Sequence, residues 1–412
     1  MKTKKNRLSA NRQKTASNRP PVMLDADFEG GGLENIRKAG DRHFVCSLRK
    51  GTSPAPLWYY FRLRGVKNRR VLIEIDNAHD IKNDKSYLDD PEFWPIARPV
   101  FSYDKKHYGR IRNPHYDPAS GVFSFAHRFK EDTAYVSFSF PYVCSDLEKY
   151  LARIRSSPHV RIRRIARSGE KRNIYWIAVT DAAIRTVKKG VWILARQHAG
   201  ETPGSFAVEG LVNYLLSDAS AARRLRKEFE FNLAPMVDAD NVARGHYGKD
   251  SQPVDYNRDW KSVSRRPVVR AIKTAIDRWA KTRRISVFMD FHAPGLRHGN
   301  DMGEMPARLA RGDLHQYNRF SALLAAQAPK CSPYQRRHFQ EHETLAQPGH
   351  AISWFYRRYG AFSTVLEISY HRTVRGKNRY ATPASLRAYG AAIAKTVYYF
   401  SNPEKKFKEP NI

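Results

Sequence analysis

The sequence predicts an α/β domain, built on a sheet covered by helices on both faces, preceded by a smaller antiparallel β-sandwich. Two observations carry this. From about Phe44 to Pro141, short runs alternate apolar or aromatic residues with small polar ones, the period of half-buried strands. After Ser145 the pattern changes to continuous apolar runs of strand length separated by helical repeats, as in a sheet buried on both faces.

In the first part, residues 57–63 (LWYYFRL) and 71–75 (VLIEI) flank the turn RGVKN and predict a hairpin. Residues 121–127 and 134–140 continue the alternating pattern, and about a hundred residues of this kind predict a sandwich. A helix is expected from Asp146, with Ser145 or Asp146 as its N-cap. Strands follow at 174–179, 191–195, 229–237, 285–291 and 363–368, and helices at 206–216, 268–279 and 384–400. The expected division is a basic flexible tail over 1–40, the sandwich over 41–145, the α/β domain over 146–402 and a short tail over 403–412.

Composition narrows the class. Of 412 residues 41% are hydrophobic, enough for packed cores and too many for a disordered chain. Lys plus Arg exceed Asp plus Glu by 73 to 40, a formal charge of +33 that calls for an acidic partner. The basic cluster between Arg153 and Arg172 lacks the interleaved aromatics of a stacking platform, which argues against nucleic acid and for a solvated surface. Cys46, Cys144 and Cys331 lie far apart and form no CxxC pair, so neither a disulfide framework nor a thiolate metal site is expected. No apolar run has the length of a membrane span, and the basic N-terminus lacks a secretory apolar core. A cytoplasmic protein is the expectation.

The chemistry concentrates where core strands end. Residues 191–195 (VWILA) run into the turn QHAGETPG, which carries His198 and Glu201 three residues apart. The ends of strands in open α/β sheets are the usual place for ligand groups, and an imidazole and a carboxylate on one tight turn can converge on a zinc ion. The strand at 285–291 ends at His292, which completes two histidines and a glutamate with one position left for water. A second HxxEH pattern, His338 to His342, has no apolar stripe around it and is expected in a loop or surface helix, not in a metal site. Asn257 and Arg258 pair an amide with a guanidinium fork suited to gripping a carboxylate, or else Arg258 serves in ion pairs with Asp255 and Asp259. Glu367 is a lone carboxylate in an apolar strand, a candidate general base with a raised pKa.

These motifs, in this order, resemble the zinc carboxypeptidases (funnelins). The resemblance rests on RQHAGE, PMVDADN, DYNRD, DFH and LE, and is closest to the cytosolic-carboxypeptidase branch, whose N-terminal β-domain is matched by RPVFSYD and FSFPYVCSDL. It covers roughly residues 41–400. It implies that His198, Glu201 and His292 bind one zinc ion, that Asn257 and Arg258 hold the substrate's terminal carboxylate, and that Glu367 takes a proton from the attacking water and passes it to the leaving amine. The expected activity is removal of the C-terminal residue from peptide or protein tails, with acidic tails, ending in glutamate, suggested by the branch and the +33 charge.

The sequence departs from the family at three points. Gly248 stands where an arginine often polarises the scissile carbonyl, which leaves Lys249 or Arg244 to supply the charge. Asn241 stands where a turn glycine is common, and asparagine tolerates the same conformation. The tyrosine that covers the substrate elsewhere has three candidates here, Tyr356, Tyr359 and Tyr370. Two alternatives are a zinc amidase acting on cell-wall or small acylated amino-acid substrates, and a catalytically impaired binder of an anionic polymer.

Overall fold

The computed structural model describes residues 20–54, 56–78, 97–293, 302–306, 313–328, 339–342, 346–371 and 380–404. The first strands in the chain are Met23–Asp25 (β1), Leu33–Gly40 (β2), His43–Leu48 (β3), Tyr60–Arg64 (β4) and Arg70–Ile75 (β5). They are followed by Val100–Ser102 (β6), Tyr108–Arg110 (β7), His115–Asp117 (β8), Val122–Arg128 (β9) and Ala134–Ser137 (β10). These ten build two five-stranded sheets, ordered β1-β4-β10-β6-β7 and β2-β3-β5-β9-β8. The inner faces meet in an aromatic core that includes Tyr59, Phe61, Phe123, Phe125 and Phe138. This is the expected sandwich.

Three of its details differ from expectation. The domain begins at Met23 and not at 41, because β1 pairs with β4 and β2 pairs with β3. β2 (LENIRKAG) is mostly exposed, so its sequence lacks the apolar alternation that marks a strand. The expected hairpin at 57–75 does not form: β4 and β5 lie in opposite sheets, and the turn between them crosses the core. Val66 in that turn is fully buried, and its N–H donates to the Asp132 carbonyl. Finally, β3 and β5 run parallel, so one pair in the sandwich is not antiparallel.

The second domain continues with Cys144–Ile154 (α1), Val160–Arg167 (β11), Asn173–Val179 (β12), Lys189–Ala195 (β13), Pro203–Leu216 (α2), Ser220–Glu228 (α3), Phe229–Ala234 (β14) and Ala239–Arg244 (α4). A single 3-10 turn, Tyr256–Arg258, leads to Pro267–Ala280 (α5) and Ile285–His292 (β15). Met302–Pro306 (β16), Leu314–Gln327 (α6), Phe339–His342 (β17), Ala351–Tyr359 (α7), Phe362–Glu367 (β18) and Pro383–Ser401 (α8) complete it. The eight-stranded sheet has the order β11-β12-β14-β13-β15-β18-β16-β17. Its centre, β14-β13-β15-β18, is parallel, and β12 and β16 flank it antiparallel. Four parallel strands deliver their C-terminal ends to one edge of the sheet, and everything discussed below sits there.

The predicted core strands and the three predicted helices are present. The cap of α1 differs: Val143 is its N-cap, and Asp146 accepts from the Val143 N–H at 3.1 Å from inside the first turn. The basic cluster contributes β11, an edge strand with Arg161, Arg163, Arg164 and Arg167 exposed. The HxxEH segment is neither loop nor helix from Phe339 onward, because it pairs with β16 as β17. His338 lies outside the described residues, as do Cys331, the tail over 1–19 and residues 405–412.

Candidate metal centre

β13 (KGVWILA) is buried from its second residue onward between two parallel neighbours, the placement its unbroken apolar run demands. It stops at Ala195 because Arg196 adopts a left-handed backbone, φ 59°. The Arg196 guanidinium is buried and folds the turn onto itself. It donates to the Ala199 carbonyl (2.9 Å), the Tyr142 carbonyl (2.9 Å) and Ser205 Oγ (2.9 Å). Burial lowers its pKa to about 10, so it remains a cation at neutral pH. The Gly200 N–H donates to the Tyr247 carbonyl at 2.8 Å, and α2 begins at Pro203.

This turn brings His198 and Glu201 beside His292, which ends β15 next door. His198 Nδ1 lies 2.8 Å from Glu201 Oε1, His292 Nδ1 lies 2.8 Å from Glu201 Oε2, and the two Nδ1 atoms are 3.2 Å apart. All three residues are buried, and one ligand atom from each falls within 4.8 Å of the others. They are the one such group of three or more metal-ligating side chains among the described residues.

The far nitrogen of each ring is held by a further carboxylate. His198 Nε2 lies 3.1 Å from Asp255 Oδ2, and His292 Nε2 lies 3.0 Å from Asp290 Oδ2. Asp290 also accepts from Gln197 Nε2 at 2.6 Å, and Gln197 Oε1 accepts from Trp260 Nε1 at 2.9 Å. A carboxylate behind each imidazole fixes its tautomer and leaves the Nδ1 lone pair aimed at the shared space. Burial by itself would lower the His198 pKa, but Glu201 and Asp255 outweigh it and hold the ring at about 9. His292 goes the same way: burial opposes its charge, and Asp290 and Glu201 overcome that. Three buried carboxylates around two imidazoles call for a cation, and a divalent metal displacing the ring protons meets that call. Two imidazole nitrogens and a carboxylate, closed by second carboxylates, is a donor set that fits zinc.

The other predicted residues fall at varied distances from this centre. Glu367 ends β18 and stands in register with His292, on the side of β15 away from β13. Asn257 Nδ2 lies 3.2 Å from His292 Nε2, while its Oδ1 accepts from the Ala351 N–H at 3.0 Å, so the amide is committed to the framework. Arg258 is half-buried, and its Nη1 donates to the Asn257 carbonyl at 3.3 Å. Its charge acts on Asp255 and on His350. Arg244 is turned away: its guanidinium pairs with Glu170 in the loop between β11 and β12. Lys249 stays close, its charge acting on Tyr247, which packs against Gly200.

Gly248 takes φ +83°, and a Cβ there would lie 2.8 Å from the Ala199 N and 3.0 Å from Asp238 Oδ2. A side chain at this position would collide with the turn that carries His198. Among the tyrosines, Tyr356 donates to Asp313 at 3.1 Å and Tyr359 to Asp277, whereas Tyr370 is buried against Phe138, in the same cluster as Tyr247. The residues missed from sequence are Arg196, Gln197, Asp255, Asp290 and Trp260 in these supporting positions. Asp290 had a signal: two residues before His292 on a strand, it shares the histidine's face.

Fold and site together define a metallocarboxypeptidase-type α/β protein. A family profile described as zinc carboxypeptidase matches residues 147–390, and one described as cytosolic carboxypeptidase N-terminal domain matches residues 24–139. The chain belongs to the zinc carboxypeptidase family. It is 24% identical to cytosolic carboxypeptidase 2 of Danio rerio over 96% of this chain and 57% of that protein. To cytosolic carboxypeptidase 6 of Mus musculus it is 27% identical, over 92% of this chain and 74% of that one. The chain thus spans little over half of the Danio rerio relative, and 35% of cytosolic carboxypeptidase 3 of Mus musculus. Among solved structures, a metallo-carboxypeptidase from Burkholderia cenocepacia superposes with TM-score 0.80 at 20% identity, covering 94% of this chain and 100% of that one. One from Pseudomonas aeruginosa gives TM-score 0.76 at 20% identity over 93% and 100%. At that identity the likeness establishes the fold.

Proposed function

We propose that this chain is a zinc-dependent metallocarboxypeptidase that hydrolyses the C-terminal peptide bond of peptide or protein tails in the cytoplasm. The observation that carries the proposal is the convergence of His198, Glu201 and His292, with a carboxylate behind each imidazole. In this reading His198 Nδ1, Glu201 and His292 Nδ1 hold the ion. When bound, zinc supplies Lewis acidity toward a carbonyl and a nucleophilic water near neutral pH.

The chain's own residues do the rest. Glu367 is the general base, next to His292 across the β15–β18 pair, and returns its proton to the leaving amine. Arg258 grips the terminal carboxylate, an interaction an internal residue cannot offer, so cleavage is confined to chain ends. Asn257 supports this by tying the 3-10 turn to His292 and to α7. Lys249 takes the role of the carbonyl-polarising cation in preference to Arg244, which Glu170 already neutralises. The +33 charge favours acidic tails, and glutamate-ended substrates are the preferred class. The amidase reading needs no carboxylate-binding arginine, and the position of Arg258 counts against it.

The test is steady-state kinetics of Arg258→Ala on C-terminal peptides beside its zinc content. KM should rise by about a hundredfold, as expected for loss of a charge-assisted pair, with zinc unchanged. Equal loss of zinc and of substrate affinity would make Arg258 a structural residue. In the same assay, added salt should depress turnover of a glutamate-ended peptide far more than of a neutral one.

A further inference from the structure

We infer that the cleft between the sandwich and helices α1, α2 and α8 is a second ligand site, which takes a small organic anion: one carboxylate or phosphate monoester carried on an apolar, ring-sized body.

The cleft has a volume of about 700 Å³. Small-molecule pockets measure roughly 300–1,000 Å³ and favour the junctions between domains. Phe28, Tyr60 and Tyr108 line it from the sandwich, and Tyr150 of α1 and Phe206 of α2 line it from the other domain. None of the three metal-centre ligands, nor Arg258 or Glu367, lines it.

Its most buried charge is Glu209, 4% exposed. This is the one charged residue of α2, in a helix buried at every position from Pro203 to Val212. A carboxylate so placed needs partners to stay ionised. The Tyr142 hydroxyl donates to Oε1 at 3.0 Å, and Arg387 Nε donates to Oε2 at 2.6 Å. Arg153 Nη2 stops 4.0 Å from Oε1, beyond hydrogen-bond reach. Two guanidiniums therefore face one carboxylate. Each lies over a ring, Arg153 at 5.0 Å from the Tyr150 centroid and Arg387 at 5.2 Å from that of Phe206. Stacking holds the planar forks in place, while the side chains stay 65% and 39% exposed.

The other acids of the cleft are committed to the backbone. Asp146 accepts from the Val143 N–H at 3.1 Å and Glu29 from the Ser145 N–H at 3.1 Å. Asp104 accepts from the N–H groups of Lys106 and His107, each at 2.8 Å. Lys105, Lys106 and Lys149 also line the cleft, so that five cations stand against four carboxylates. One positive charge in excess suits a single anionic head group and disfavours a polyphosphate. The rings around it suit an apolar body.

The test is calorimetry on the full-length protein with phenylacetate and phenyl phosphate, beside benzyl alcohol and inorganic phosphate as the separate halves of such a ligand. At least one of the two aromatic anions should bind, more tightly than either half. Arg153→Gln should weaken that binding about tenfold or more, and Arg153→Lys, which keeps the charge without the fork, by less. His198→Ala, which disturbs an anion lodged at the metal centre, should leave it unchanged. Melting curves check that the variants fold. Binding that survives Arg153→Gln or is lost in His198→Ala overturns the assignment. So does inorganic phosphate bound as tightly as phenyl phosphate, or no binding of either aromatic anion.

Discussion

At the scale of single residues, the centre is organised by groups one step removed from the expected ligands. Asp255 and Asp290 each occupy the far nitrogen of one imidazole, and Gln197 and Trp260 extend the Asp290 arm into the core. Replacing Asp290 by Asn should lower zinc affinity by about 10- to 100-fold while the fold persists, measured by competition with a chromophoric chelator and by circular dichroism. Another buried carboxylate, Asp238, caps α4, and burial raises its pKa to about 7 against the hydrogen bonds from Asn241. A carboxyl raised in the folded state binds its proton more tightly there than in the unfolded chain. Its contribution to stability is full below the ordinary carboxylate range and is lost as pH rises from about 4 to about 7. Asp238→Asn should flatten the thermal stability profile across that window, and an unchanged slope would assign it to other groups. Sequence legibility was uneven at this scale. His198, Glu201, His292 and Glu367 stand at strand ends, where a motif can be seen. Arg196 could not be read as structural, because its role comes from three oxygen acceptors, at Ala199, Tyr142 and Ser205, of which Tyr142 lies on a distant part of the chain.

At the scale of elements, strands buried on both sides were legible and edge strands were not. β13 and β15 are continuous apolar runs because neighbours cover both faces. β2 and β11 carry charged residues among largely exposed positions, since an edge strand needs only one partner and its charges keep the free edge from pairing further. The connection between β4 and β5 shows a second limit. A short turn between two apolar strands suggests a hairpin, but only packing decides whether they join one sheet or face each other across a core. Helix pairing depends on residues that look unremarkable in sequence. In α2 a Cβ on Gly210 would come within 1.9 Å of the Arg387 carbonyl oxygen, and in α8 one on Gly390 would come within 1.9 Å of that of Ala207. These glycines let two helix backbones touch. Gly390→Ala should therefore destabilise the protein by about 3 kcal/mol, despite alanine's better helix propensity, and lower its melting temperature.

At the scale of the whole molecule, the sandwich is part of the site's support. Tyr247, Ala293 and Tyr370, all flanking the metal centre, pack into the sandwich core and not into that of the α/β domain. Arg110, at the end of β7, is half-buried and donates to the Ala381 carbonyl at 2.9 Å, just beyond the segment that follows Glu367. The Arg49 guanidinium reaches the Arg244 carbonyl at 2.8 Å, and the Gln252 N–H donates to Thr52 O at 3.0 Å, so one loop of the sandwich grips both ends of the stretch that underlies the His198 turn. The two-domain plan was legible from the change in hydrophobic period at Ser145. The starting point of the sandwich was not, because its first strands owe their place to pairing.

The most direct test of the account is zinc content, measured by atomic emission on the purified chain beside His198→Ala and Glu367→Gln, with chelator-sensitive release of terminal residues from a peptide library. The account predicts one zinc per chain and release for the natural sequence, neither for His198→Ala, and zinc without release for Glu367→Gln. A natural chain that binds no zinc, or a Glu367→Gln variant that still releases residues at the full rate, would contradict it.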